Sequence, residues 1–232
     1  MRGDIVITYE YKPYFAIIGD IINSKKIQDR DIIQQKLTMI LNKVNETYMQ
    51  KISSKFMITL GDEFQGLMSS GEYVVEIIDI IEREMYPIEL RFGIGVGSVS
   101  TPIDYNLPIG ADGPAYYNAR KVIDHHKISK TKKMEIRTNI GVKIDSYPYL
   151  SDLINSIFSL NTIIKLRWKQ RQREAINAYI CCNGNQNSAA SLLGVNQSNI
   201  QRALKASGYY EYQQANKSVA NFLSTIKESD DV

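Results

Sequence analysis

The chain has 232 residues, 44% of them hydrophobic and 23% charged, with a formal net charge of +3. That is enough apolar material for one large domain or two small ones, and too little net charge to mark the whole chain as a nucleic-acid binder. No apolar run approaches the roughly 20 residues of a membrane helix, and Arg2, Asp4 and Glu10 interrupt any leader-like start, so a cytoplasmic protein with no membrane attachment is expected. The only cysteines, Cys181 and Cys182, are adjacent, which suits reduced thiols better than a structural bridge.

Met1–Lys12 alternates weakly through Ile5, Ile7, Tyr9 and Tyr11 and reads as an extra edge strand. Tyr14–Ile22, YFAIIGDII, is a buried strand broken only by Asp20, an acid that is costly to desolvate unless it meets a cation or several donors. The polar, basic Asn23-Ser24-Lys25-Lys26 follows, and Ser24 and Lys25 are candidates for contact with nucleotide phosphates. Three- and four-residue spacing of Ile33, Leu37, Ile40, Leu41, Val44 and Tyr48 predicts a helix over Asp31–Tyr48. Phe56–Met68, FMITLGDEFQGLM, reads as a hairpin with Gly61 in its turn and Asp62 and Glu63 at its tip. A strand-borne Asp20 beside a hairpin-borne Asp62 suits a shared Mg²⁺ or Mn²⁺.

Gly71–Met85 has the stripe of a second helix, through Val74, Ile77, Ile78 and Ile81. Glu89–Ser98 is a strand whose glycines at 93, 95 and 97 leave one face bare, as where another backbone, a helix or a ligand passes close. Gly110–His126 opens with turn chemistry, places Pro114 at a first helical position and carries Arg120 in the helix middle. Lys133–Thr138 reads as a last strand. The element order predicts an α+β fold: a ferredoxin-like βαββαβ sheet over residues 1–145, with an added helix and strand and its helices on one face.

The pattern breaks between residues 140 and 162, and an all-α unit over 150–226 is expected, with 227–232 as a disordered acidic tail. Within 165–205, Lys165, Arg167, Lys169, Arg171, Arg173, Arg202 and Lys205 face a single acid, Glu174. Ile164–Cys181 is expected to be helical. In Asn187–Ser207, Ala190, Gly194 and Ile200 stand at the spacings of a helix-turn-helix, and Leu193, Val195 and Leu204 are read as its remaining apolar positions. Its second helix would present Gln197, Ser198, Asn199, Gln201, Arg202 and Lys205, side chains of the types that read base edges and phosphates. The alternative is a helical hairpin docked on the first unit. Asn216–Ile226 is expected to close the unit as a helix.

Residues 14–126 resemble class III nucleotidyl cyclases and, more widely, diguanylate cyclases, through FAIIGDII, ITLGDEFQGL, LRFGIGVGSVS and GPAYYNAR. That resemblance implies Asp20 and Asp62 as metal ligands and Arg120 as the catalytic, phosphate-stabilising arginine. Where cyclases place an Asn four residues before that Arg, this chain has Tyr116, with Asn118 out of phase; Leu60 stands where the diguanylate-cyclase signature has its first glycine. GDIINSKK, LGDEFQGL, GADGPAYYNARK, RQREAI and LLGVNQSNIQRAL, taken in order, resemble the SatD family over nearly the whole chain. The resemblance implies a link to bacterial acid and stress tolerance. The expected function is a DNA-binding regulator, a homodimer, whose cyclase-like domain senses a nucleotide or a divalent metal. An active metal-dependent nucleotide cyclase or other nucleotide-processing enzyme with a docking module, and a relic domain kept for dimerisation, are the alternatives.

Overall fold

The computed structural model describes residues 6–129 and 138–229. Strand β1 (Ile7–Tyr9) is followed by β2 (Tyr14–Ile21), a 3-10 turn (Ser24–Lys26), α1 (Arg30–Thr47), the hairpin β3 (Ile52–Leu60) and β4 (Glu63–Met68), α2 (Val74–Met85), β5 (Leu90–Gly97), α3 (Pro114–Ser129) and β6 (Ile140–Ile144). Helices α4 (Pro148–Leu166), α5 (Gln170–Cys181), α6 (Gln186–Leu193), α7 (Gln197–Ala206) and α8 (Tyr209–Ser224) come next, and β7 (Ile226–Glu228) ends the described chain. The five-stranded sheet runs β3-β4-β2-β5-β6, antiparallel except for the parallel β5–β6 pair. Its first four strands have the expected ferredoxin-like order. The predicted strand Lys133–Thr138 falls on residues that lie, but for Thr138, outside the described ones.

Period-2 alternation sorts the strands onto two faces. Phe15, Ile17 and Ile21 of β2 join Phe56, Phe64, Phe92, Ile94 and the apolar stripes of α1 and α2 in the largest core cluster. Ala16 and Ile18 point the other way and pack with Leu67 under Ala115, Tyr116, Ala119 and Ile123 of α3. Helices therefore cover both faces of the sheet, which corrects the one-sided expectation. The glycines of β5 are the reason. A Cβ on Gly95 would lie 1.9 Å from the Ala115 carbonyl oxygen and 2.3 Å from the Ala119 nitrogen, so only a bare strand lets α3 lie so close.

The edges are sealed by amides and hydroxyls. Asn45 of α1 accepts from the Phe56 N–H (2.8 Å) and donates to the Phe56 carbonyl (2.9 Å) on edge strand β3. At the other edge, Asn155 of α4 makes the same pair with Val142 (2.7 and 3.0 Å), and the Ile144 N–H donates to Ser151 Oγ (2.9 Å). Those bonds occupy β6 groups that would otherwise be open to another strand.

The division between the sheet and the helical unit is less sharp than expected. Ile154 and Phe158 of α4, Val219 and Leu223 of α8, and Ile226 all belong to the sheet's core, while α5–α7 build a second cluster around Ala175, Ile176, Ala189, Ala190, Ile200 and Leu204. Instead of joining the main sheet, β1 pairs in parallel with β7, so the expected disordered tail begins in a strand at Lys227 and Glu228. Ile164–Cys181 is not one helix. It breaks at Arg167–Lys169, where Gln172 Oε1 accepts the Lys169 N–H (2.9 Å) and the Trp168 indole donates to the Ser207 carbonyl (2.8 Å).

Candidate functional site

Asp20 continues the Ala16, Ile18 series on β2, so its carboxylate lies on the α3 face. Register places Glu63 of β4 and Arg91 of β5 directly beside it. Arg91 Nη1 donates to both Asp20 oxygens (2.9 and 3.0 Å), and Lys127 Nζ of α3 approaches Oδ2 at 2.9 Å. Asp20 and Arg91 are almost wholly buried, 4% and 7% exposed, so each offsets part of the other's desolvation cost. Two turns before Lys127, Arg120 forms a two-pronged ion pair with Glu63, its Nη2 donating to Oε1 at 2.7 Å. The Glu63 hydrogen bond raises the Arg120 pKa further above its usual range. Glu63, Arg91 and Lys127 are the residues sequence reasoning missed. Alternation from Asp20 across β2–β5 and β2–β4 puts Arg91 and Glu63 on one face, but only the pairing register brings them level.

Asp62 goes elsewhere. Gly61 takes φ 62° in the turn and its carbonyl accepts from Gln34 of α1 (2.6 Å). Asp62 lines a shallow cleft on the α1 side with Ile21, Ser24, Arg30 and Gln34; Lys25, next to Ser24 in the chain, is exposed. Ser24 and Asp62 are brought together, as are Asp20, Glu63 and Arg120, but the structure does not put Asp20 and Asp62 into one donor set. Among the described residues no three His, Cys, Asp or Glu side chains assemble a metal-binding group. A divalent cation needs several free oxygen ligands. Here the two carboxylates on the α3 face already meet three cationic side chains, and a metal on Asp20 would strip buried Arg91 of its counter-charge. The expected Mg²⁺ or Mn²⁺ bridge does not fit this arrangement.

Tyr116, at the position of the cyclase Asn, is buried among apolar side chains; its hydroxyl has no hydrogen-bond partner among the described residues, and burial pushes its pKa up to about 12. Asn118 Nδ2 donates to the Val96 carbonyl (3.0 Å) and is spent on packing α3 to β5. Among these α3 side chains, Arg120 and Lys127 are the ones that reach the sheet tip with a part-exposed charge.

The second candidate surface is α7. Gly194 ends α6 in the left-handed region (φ 65°), turning the chain so that Ile200 and Leu204 drop into the small-residue core of α5 and α6. Ser198, Asn199, Gln201, Arg202 and Lys205 are exposed away from that core, while Gln197, also exposed, turns toward α6 and donates to Gln186 Oε1 (2.5 Å). Arg202 Nη2 donates to Asn199 Oδ1 (2.5 Å), pre-aligning the two. Leu193 and Val195, expected in the core, are instead 39% and 41% exposed beside this face, because Gly194 swings the turn outward. A cleft of about 330 Å³ lies behind the C-terminal end of α7, with Arg167, Trp168 and Lys205 in its wall.

Polar contacts tie the two regions together through α2. Tyr212 of α8 donates to Asp79 (2.7 Å), Lys165 of α4 pairs with Glu82, and Arg173 of α5 stacks 4.2 Å over the Tyr86 ring. Burial raises the Asp79 pKa, which favours its keeping a donor such as Tyr212.

Comparison with known proteins adds the following. The model of the SatD family matches residues 14–223. No curated protein matches the chain. Solved structures that align with it include a bacterial light-regulated adenylyl cyclase (12% identity, 56% of this chain and 74% of that one, TM-score 0.41). Another is the guanylate cyclase domain of RhGC from Catenaria anguillulae (18%, 49% and 72%, TM-score 0.36). A regulator of polyketide synthase expression from Bifidobacterium adolescentis aligns over 92% of this chain and 86% of its own at 8% identity and TM-score 0.30. No described helix is long and apolar enough to cross a membrane.

Proposed function

The chain belongs to the SatD family, and from that premise we propose that it is a cytoplasmic DNA-binding regulator whose sheet domain receives a nucleotide. The observation that carries the reading is the outward face of α7: five polar or basic side chains, Ser198, Asn199, Gln201, Arg202 and Lys205, no acid among them, on a helix held by the Gly194 turn. Amides and an arginine on such a helix suit base edges in a major groove, while Lys205, with Arg167 nearby, suits phosphates. Lys165 and Arg173 are spent on Glu82 and Tyr86, but Arg167, Lys169, Arg171, Arg202 and Lys205 stay exposed in 165–205 against one acid, Glu174, which favours a polyanion over a protein partner.

At the sheet tip, Arg120 and Lys127 on one face and Ser24 and Lys25 on the other flank the β2 end and the β3–β4 turn. We assign the nucleotide's phosphates to these three cations and the Ser24 hydroxyl directly, without a metal bridge. Cyclisation is not part of the proposal, since Tyr116 offers the tip no donor.

Retention of a mixed-sequence duplex by the full chain, followed by fluorescence anisotropy against salt, tests the main claim. Binding should weaken linearly on a log–log salt plot, and Arg202→Ala or Lys205→Ala should each reduce the slope by about one if it contacts phosphate, or relax sequence preference if it reads a base. No binding at low salt would dismiss the DNA reading. A melting temperature raised by ATP or GTP without added metal, and not in Arg120→Ala, checks the nucleotide claim.

A further inference from the structure

Helix α4 buries one side against β6 and α8 through Ser151, Ile154, Phe158 and Thr162. Its opposite side holds large apolar residues in the open: Tyr149 (85% exposed), Leu153 (60%), Leu160 (63%) and Ile163 (40%), with Leu166 (52%) at the margin. Steps of four, three, four and three residues through Tyr149, Leu153, Ser156, Leu160 and Ile163 keep them on one straight stripe, the alternation of a two-helix seam. Isolated exposed apolar residues are ordinary, but a continuous stripe directly opposite a helix's core-facing side is not.

We propose that this face is a self-association seam through which two copies of the chain pair, α4 against α4, antiparallel. The stripe is close to symmetric about Ser156, with Tyr149 and Ile163 seven residues to either side, Leu153 three before it and Leu160 four after. In the antiparallel register Tyr149 meets Ile163 of the second copy and Leu153 meets its Leu160, while the small Ser156 lies at the crossing, where the helices come nearest. At roughly 200 Å² for a large side chain, the exposed fractions amount to about 600 Å² per copy. The pair then buries about 1,200 Å², the lower edge of a specific interface. A second copy is the occupant that meets the stripe, its near-symmetry and the area at once.

The seam stands independently of the DNA reading, but the two agree. The C-terminal ends of the paired α4 helices, from which α5–α7 emerge, would lie on the order of 30 Å apart at 1.5 Å per residue, close to the roughly 34 Å between half-sites one DNA turn apart.

The test is sedimentation equilibrium on the full chain. The wild type should be a dimer at micromolar concentration. Leu153→Glu/Leu160→Glu should weaken dimerisation by on the order of 100-fold or more while leaving the thermal melt of the monomer in place. In a Cys181→Ser/Cys182→Ser background, Ser156→Cys should form a cross-chain disulfide on oxidation and Leu166→Cys should not. A monomeric wild type overturns the proposal and leaves the face to a different partner. A dimer that survives the double glutamate variant, or crosslinks at 166 but not at 156, overturns the seam or its direction. Anisotropy on a mixed-sequence duplex too short for two copies separates this from the regulator reading, since a monomeric variant should still bind it.

Discussion

Replacing Asp20 by alanine separates a structural ion pair from a metal ligand. In the structure Asp20 is the counter-ion of Arg91, and both side chains are at most 8% exposed, so alanine would leave a guanidinium buried without a partner. Breaking a buried pair from one side costs about 3–5 kcal/mol. Lys127, 45% exposed on its side chain, adds little and returns to water when released. For a chain of this size that loss should lower the melting temperature by roughly 10 °C. Arg91→Met in the same chain removes the orphaned charge, and the double variant should recover most of the loss, giving a coupling of about 2–3 kcal/mol in a double-mutant cycle. Urea unfolding followed by circular dichroism measures all four proteins, with and without millimolar Mn²⁺. If Asp20→Ala is as stable as the wild type or more so, as when one acid is released from a crowded ligand cluster, the ion-pair account fails.

Two further outcomes follow from the same geometry. Gly95→Ala should cost about 3 kcal/mol or more in urea titration, because its Cβ would meet the α3 backbone at 1.9 Å and backbone cannot rotate aside, whereas Gly61→Ala, with open space around it at φ +62°, should cost only about 1–2 kcal/mol. His126, whose pKa is lowered from 6.5 to about 4 by burial and then by His125 and Arg91, should make stability fall with acidification. The unfolded chain binds the proton below about pH 6.5 while the folded one resists it until about pH 4. The loss across that window approaches about 3 kcal/mol, and His126→Gln should flatten that part of the stability–pH curve.

The elements themselves were largely legible in the sequence. Strong periodicity placed α1 and α2 within a few residues, the GDEF turn placed the hairpin, and Ala190, Gly194 and Ile200 placed the helix-turn-helix, since each depends on neighbours along the chain. Local pattern also said that β5 would meet something close on its glycine face, without saying what.

What only the tertiary structure decided is which charges meet. Asp20 and Asp62 share a motif context, yet strand alternation and the hairpin twist send one under α3 and the other beside α1. The cations that answer Asp20 come from β5 and α3, 71 residues along the chain in the case of Arg91. A sequence carries the alternation of each strand, but pairing register and helix placement are set by the sum of many weak packing contacts across the whole core. The sequence alone thus determined the parts and their order; the partner of each buried charge, and the face of α4 left without one, emerged only when those parts were packed.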